Sequence, residues 1–382
     1  MKALLFERSL PKFAAARVAG ARFGPLRLAD IDAPELPGPD WHVVRPRLAG
    51  ICGSDLATVG GRASRWFEPI VSFPFVPGHE VVGELDDGSR VVLEPVLTCA
   101  PRGVPLCPAC QAGRRNHCER ITAGHLEPGL QTGYCADTGG GWGTRLVAHT
   151  SQLHTVPDDL PDEAAVLVEP VACGVHAARQ VDDGASVVVL GAGTLGLCTV
   201  AALAALRRPA QLLVAAKHGH QVDHARRLGA TRVVEPDEVV RAVRRLTGTL
   251  LVGDGVGVGG GAARAGGGVD VVVDCVGTGG TLAQALAVVR PGGAIILVGM
   301  PGPVSVDLTP LWQREIKLAG SYAYESADFD DAFRIAADSG LERLLTAVYP
   351  LERFREAIDH AGEAGRRGAV KIAFDLRQEK HR

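Results

Sequence analysis

The sequence is poor in several things, and each shortage excludes something. Only six of its 40 basic residues are Lys, the other 34 are Arg, and Met occurs twice in 382 residues. Such a bias, with abundant Ala and Gly, marks a GC-rich coding background and not a binding surface. Charge of one sign is missing too: the net charge is −3 and the basic residues are spread along the chain. No nucleic acid or membrane surface is therefore expected as a partner. No run approaches the ~20 apolar residues of a membrane span. The segment MKALLFERSLPK reaches Glu7 and Arg8 before an apolar run of signal-peptide length develops, so the expected location is the cytoplasm. There, nine cysteines are expected to be metal ligands or free thiols in preference to disulfides.

What is present is globular: 46% of residues are hydrophobic and 22% charged, in a chain long enough for two domains. Over the first ~150 residues, short apolar runs such as HVVRPRLAGI, EVVGEL and SRVVLEP alternate with Gly, Pro and Asp. No long helical period interrupts them, which predicts a compact antiparallel, partly barrel-like domain. From about residue 160 strands and helices alternate: SVVVL, LGLCTVAALAAL, QLLVAA, QVDHARRLGA, VDVVVDCVG, TLAQALAVVR and AIILVGM. That order predicts an α/β fold with a parallel sheet whose strands are covered on both faces. Two amphipathic helices, in DFDDAFRIAADSG and LERFREAIDHA, and a strand, AVKIAFDL, close the chain. The Gly-rich segment 248–268 lacks the Gly-Lys-Ser/Thr ending of a phosphate loop and reads as a flexible surface loop.

Residues 191–196, GAGTLG, follow the strand SVVVL and open a helix. In that context G-x-G-x-x-G is a dinucleotide-binding turn, although a plain Gly-rich turn has the same letters. Gly191 permits the turn, Gly193 lets backbone approach a pyrophosphate, and Gly196 lets helix pack on strand. Thr194 and Leu195 supply the helix N-terminus for the phosphates. About 20 residues on, an NAD site places an acid for the ribose 2′-hydroxyl. Here stand Ala216, Lys217 and His218. No acid would repel a 2′-phosphate and Lys217 could pair with one, which favours NADP(H) over NAD(H); the plain alternative is a solvated strand-end Lys.

Four cysteines, Cys99, Cys107, Cys110 and Cys118, fall within twenty residues. A disulfide staple, a chemical metal site and a structural metal site all fit that density. Cys52 and His79 are ligand types that zinc favours, with Glu80 beside His79 and Glu169 at the junction of the two halves. Spacing alone does not join them, and a buried Cys, a loop His and a surface Glu are the plain alternatives.

GICGSD, PGHEVVG, the cysteine cluster, VEPVACGVHA and VLGAGTLG occur in this order. Together they resemble the zinc-dependent medium-chain dehydrogenase/reductase family of alcohol, polyol, threonine and glucose dehydrogenases. The resemblance implies a GroES-like catalytic domain over 1–170, a Rossmann doubly wound NAD(P)-binding domain over 171–319, and a return to the catalytic domain over 320–382. It implies Cys52 and His79 as catalytic zinc ligands, with Glu169 where polyol and sugar dehydrogenases carry Glu. Glu80 matches an acid that binds zinc in some members and stands just outside the shell in others. Asp55 resembles the acid that orients the His ligand, and Ser54 the group that hydrogen-bonds the substrate hydroxyl. Lys371 falls where a basic residue neighbours the cofactor pyrophosphate, and Cys173 reads as packing.

The four clustered cysteines resemble the structural zinc lobe, whose four thiolates leave no open position; His117 is not needed there. Their first spacing departs from the family, with seven residues between Cys99 and Cys107 where two are usual. A second departure is Ala57, where some members relay a proton through His. The implied activity is hydride transfer between a nicotinamide and a secondary alcohol, polyol or sugar, or its carbonyl, in a homodimer or homotetramer. The strand AIILVG and the segment after it form the expected subunit edge. A zinc-free quinone or enoyl reductase and a non-catalytic nucleotide-binding relative are the competing readings. Trp66, Phe67, Trp142 and Tyr322 are the aromatics expected to line a pocket.

Overall fold

A computed structural model describes residues 1–19, 24–252, 264–300 and 302–377. Much of the Gly-rich segment, residues 253–263, lies outside them. The chain forms two compact units, Met1–Glu169 with Glu325–Arg382, and Pro170–Tyr324. Residues 320–324, expected with the last segment, group with the second unit. The reason is a ladder: strand Lys317–Gly320 pairs with Val289–Leu297, and Ser321 N–H continues the contact by donating to Leu297 O at 2.8 Å.

The second unit is built on six parallel strands. Their order is Arg232–Val234, Gln211–Ala215, Ser186–Leu190, Val269–Asp274, Val289–Leu297, Lys317–Gly320. The central strands are Val- and Leu-rich and buried almost throughout, as helices on both faces require. The chain order reverses between Ser186–Leu190 and Val269–Asp274, so a crevice opens at the carboxyl ends of those two strands. The edge of the sheet is Lys317–Gly320 and not AIILVG, which lies one strand further in.

In the first unit one path of strands runs Leu345–Tyr349, Lys371–Asp375, Trp41–Gly50, Val81–Glu84, Arg90–Leu93, Leu153–Thr155. Trp41–Gly50 is the hub. Its first half pairs with Leu146–His149 and its second half with Val81–Glu84. Pro46, which has no N–H for a ladder, sits at a register shift within the second pairing. The pairings are antiparallel except Leu345–Tyr349 with Lys371–Asp375. One helix departs from the β-rich expectation: Leu10–Ala19 stands between the paired strands Lys2–Phe6 and Leu26–Asp30. It is short and weakly amphipathic, so it leaves little period in the sequence.

Antiparallel pairing brings three chain segments to one place. Trp41–Gly50 ends where Val81–Glu84 and Lys371–Asp375 begin, with Ala49 opposite Val81 and Gly50 opposite Ala373. Two loop bonds lock the junction: Gly50 N–H donates to Glu80 O at 2.8 Å and Ile51 N–H to Ile372 O at 2.9 Å. Cys52, His79, Glu80 and Lys371 all leave the sheet there.

Candidate active site

The donor atoms of Cys52, His79 and Glu80 lie within 4.8 Å of one another. His79 and Glu80 are buried, and Cys52 is half-buried at the start of helix Gly53–Val59. A tetrahedral zinc with bonds of about 2.0–2.3 Å spaces its ligands at roughly 3.3–3.8 Å, so this trio fits one ion. Glu169, also buried, does not join the group.

Asp55 ties the trio together. Its Oδ2 accepts the Cys52 N–H at 3.0 Å, which caps the helix, and its Oδ1 lies 3.4 Å from His79 Nδ1. That Nδ1 is buried and off the line of a full hydrogen bond, so it has no better partner than Asp55. A carboxylate behind one ring nitrogen leaves the other for a metal. Burial opposes charge on His79, but Asp55 and Cys52 outweigh it and hold the imidazole pKa well above its ordinary value in the metal-free protein.

Lys371, expected beside the cofactor pyrophosphate, pairs with Glu80 inside the first unit. It is 1% exposed, its Nζ is bonded to Glu80 Oε2, and it also donates to Ile51 O at 3.3 Å. Burial works to strip its proton; Glu80, Cys52 and Glu169 outweigh that and keep the ammonium charged. A buried ammonium therefore lies beside the Cys52–His79–Glu80 group. Gly50 makes room for the pair, because a Cβ there would come within 2.2 Å of Glu80 Oε2.

Ser54 and Asp55 occupy the first turn of helix Gly53–Val59. Beside them lies Tyr134, which nothing in the sequence singles out. Its hydroxyl is 3.2 Å from Thr58 Oγ1 and 3.5 Å from Asp55 Oδ1. A lone Tyr in TGYCADTGG carries no signal that could have found it. Trp142, expected in a pocket wall, is fully buried and donates Nε1–H to Gly50 O at 3.2 Å, so it packs beneath the junction. Trp66 and Tyr322 are exposed and Phe67 is half-buried.

Cys99, Cys107, Cys110 and Cys118 form a second cluster, again with all sulfurs within 4.8 Å. The Cys99–Cys118 sulfurs are 3.6 Å apart, far beyond the ~2.05 Å of a disulfide. Burial raises the Cys107 thiol, yet N–H groups of Glu119 and Cys110 and the neighbouring thiols bring it down to about 6. Burial pushes Cys110 and Cys118 up. The seven-residue spacing is absorbed by a turn: Gly103 N–H bonds Ala100 O and Val104 N–H bonds Cys99 O. The donor set is that of a closed four-thiolate zinc site.

In the second unit, Gly191 has φ 94° and a Cβ there would meet Val276 at 2.5 Å. A Cβ on Gly196 would meet Gly191 O at 2.0 Å, so strand and helix approach only through Gly. A Cβ on Gly193 would meet nothing within 4 Å, which leaves space at the N-terminus of helix Thr194–Leu206. Across the crevice Asp274 holds the turn after its strand by accepting Val276 N–H and Gly277 N–H at 2.9 and 3.0 Å. Strand Gln211–Ala215 ends at buried Ala216 and exposed Lys217.

Known proteins match this chain over most of its length. Residues 38–158 match the family profile described as alcohol dehydrogenase GroES-like domain, and 194–338 that of zinc-binding dehydrogenase. A sorbitol dehydrogenase of Arabidopsis thaliana is 29% identical, with 89% of each chain covered. An L-idonate 5-dehydrogenase of Vitis vinifera is 27% identical over 89% of each chain. A protein described as a zinc-binding dehydrogenase from Sinorhizobium meliloti 1021, solved bound to NADP, superposes with TM-score 0.73 at 25% identity over 98% of both chains. With a GroES-like sheet, a Rossmann sheet and a Cys–His–Glu trio, the chain belongs to the zinc-dependent medium-chain dehydrogenase/reductase family and is an oxidoreductase of the alcohol dehydrogenase type.

Proposed function

We propose that the protein oxidises a secondary alcohol of a polyol or sugar-like substrate, or reduces the matching carbonyl, with NADP(H) as the preferred cofactor. The observation that carries the reading is the clustering of Cys52, His79 and Glu80 one helical turn from Ser54. The names of the sorbitol and L-idonate 5-dehydrogenase relatives support polyhydroxylated substrates.

Bound zinc would supply a Lewis acid that lowers the pKa of an alcohol, and the nicotinamide would accept the hydride. Cys52, His79 and Glu80 would hold the metal, with Asp55 fixing the His79 ring. Ser54 takes the hydroxyl proton and passes it toward solvent. Lys371 would hold the Glu80 carboxylate in place through their buried ion pair. Gly191, Gly193, Thr194, Leu195 and Gly196 would cradle the pyrophosphate at a helix N-terminus, and Lys217 would pair with the 2′-phosphate. Cys99, Cys107, Cys110 and Cys118 would hold a second, structural zinc.

We place a homo-oligomer contact at the sheet edge Lys317–Gly320. Among the described residues nothing pairs with the outer side of that edge, and Leu308, Trp312 and Leu318 are 55%, 79% and 41% exposed around it. The test of the activity is nicotinamide reduction with a polyol panel and each cofactor in turn. Reduction only with NAD would remove the Lys217 argument. Glu80→Gln is expected to lose zinc about 10- to 100-fold more readily than Glu169→Gln, read by competition with a chelator. The reverse order would move the third ligand to Glu169.

A further inference from the structure

Helix Leu10–Ala19 has little of its own to keep it helical. Among its described side chains only Phe13 is not exposed, and Val18 is 90% exposed. A helix of 10 residues with so narrow an apolar face needs tertiary contact to stay formed. Phe13 supplies it. The ring packs on Phe6, with centroids 5.9 Å apart, and joins the core of the first unit. On another side it meets Gly61, where a Cβ would stand 2.7 Å from Phe13 Cδ1. Gly61 also has φ 65°, so Gly is required there on two counts. A second tether, Arg8 to Glu68 at 3.1 Å, is an exposed ion pair and adds little by itself.

What Phe13 touches is the end of the helix that carries Ser54 and Asp55. Gly60 N–H donates to Leu56 O at 3.0 Å, Gly61 N–H to Thr58 O at 3.0 Å and Arg62 N–H to Ala57 O at 2.7 Å, which closes helix Gly53–Val59. That helix has 7 residues, a length of about 10 Å. At its first turn Asp55 accepts the Cys52 N–H and faces His79. Helix Phe354–Gly362 packs against it and Tyr134 meets Thr58. Its last turn rests on Phe13. So short a helix moves as one piece, and a tilt at Gly61 displaces Ser54 and Asp55 together.

We propose that helix Leu10–Ala19 braces helix Gly53–Val59, and that Phe13 is the positioning residue through which it acts on Ser54 and Asp55. The inference takes the role of Ser54 from the alcohol-dehydrogenase reading of the site. Proton and hydride transfer tolerate little misplacement: a shift of about 1 Å caused far from the reacting atoms costs up to about 100-fold in rate.

The experiment compares wild type with Phe13→Ala, Phe13→Leu and Val18→Ser, as zinc-loaded full-length protein held well below each unfolding temperature. Hydrogen exchange reads the amides of Gly60, Gly61 and Arg62, and steady-state rates on a polyol panel give kcat and KM. For Phe13→Ala, exchange at those amides is expected to quicken about tenfold or more. Its kcat is expected to fall about 10- to 100-fold, with KM for the nicotinamide cofactor within about twofold of wild type. Phe13→Leu, which keeps an apolar branch against Gly61, is expected to recover most of both losses. Val18→Ser, on the exposed side of the same helix, is expected to match wild type. Unchanged exchange in Phe13→Ala would overturn the brace. Faster exchange with wild-type kcat would overturn the positioning role. No alcohol oxidation by the wild type would overturn the functional reading, and the exchange result would still decide the brace.

Discussion

Arg102 sits inside the unusual seven-residue loop between the first two lobe cysteines, and it is fully buried. All five guanidinium donors meet backbone carbonyls: Leu97 O, Ala123 O, Leu126 O, Glu127 O and Gly129 O, at 2.7–3.3 Å. One side chain thereby fastens the extended loop to the segment leading to Tyr134. Burial lowers its pKa, and Cys135, Cys118 and Asp137 act against that fall. Lys has three donors on a compact head and cannot reproduce the fork. Arg102→Lys is therefore expected to leave at least two carbonyls unpaired and to destabilise the protein by about 3 kcal/mol. Thermal unfolding checks this, and a variant as stable as wild type would show that the carbonyls find water.

Among the elements, the cysteine lobe has a second anchor. Glu94, 1% exposed, follows strand Arg90–Leu93 and accepts from Arg115 in the lobe at 3.1 Å. It also contacts His154 at 2.9 Å and Ser326 at 2.6 Å. Burial opposes its charge, but His154, Arg115 and Ser326 outweigh that and hold its pKa below the usual 4.5. A carboxylate depressed in the folded state contributes stability above about pH 4.5, and that contribution is lost as pH falls through the lower folded value. Glu94→Gln is expected to flatten the acid limb of unfolding and to destabilise the protein near neutral pH. An unchanged acid limb would contradict this reading of the network.

How much of these elements the sequence reveals depends on how each is made. The parallel sheet is legible because strands covered on both faces read as apolar runs, and because GAGTLG marks its first turn. The Cys52–His79–Glu80 trio is not legible from spacing, since Cys52 and His79 come from the ends of different antiparallel strands; only the family resemblance joins them. The Lys371–Glu80 pair is not legible from spacing either, because the two lie 291 residues apart in the chain. Arg102 and Tyr134 are invisible for the same reason: each acts through contacts that tertiary folding creates, with backbone carbonyls in one case and a helix turn in the other. Helix Leu10–Ala19 escapes notice for want of a clear apolar face.

At the scale of the whole molecule, two donor clusters and one Gly-rich turn make separate demands. Metal analysis of the purified protein is expected to give about two zinc per chain if both clusters fill. A value near one would remove one of them from the account. The second unit has no helix long and apolar enough to cross a membrane, nor has the first, among the described residues. The central claim is that Cys52, with His79 and Glu80, makes this chain a metal-dependent dehydrogenase. Its most direct test is the rate of nicotinamide reduction by a polyol for the intact protein and for Cys52→Ser. The account predicts measurable reduction by the intact protein and a fall of about a thousandfold or more in the variant, the scale set by losing a transition-state contact of roughly 4 kcal/mol. Full activity in Cys52→Ser would contradict it.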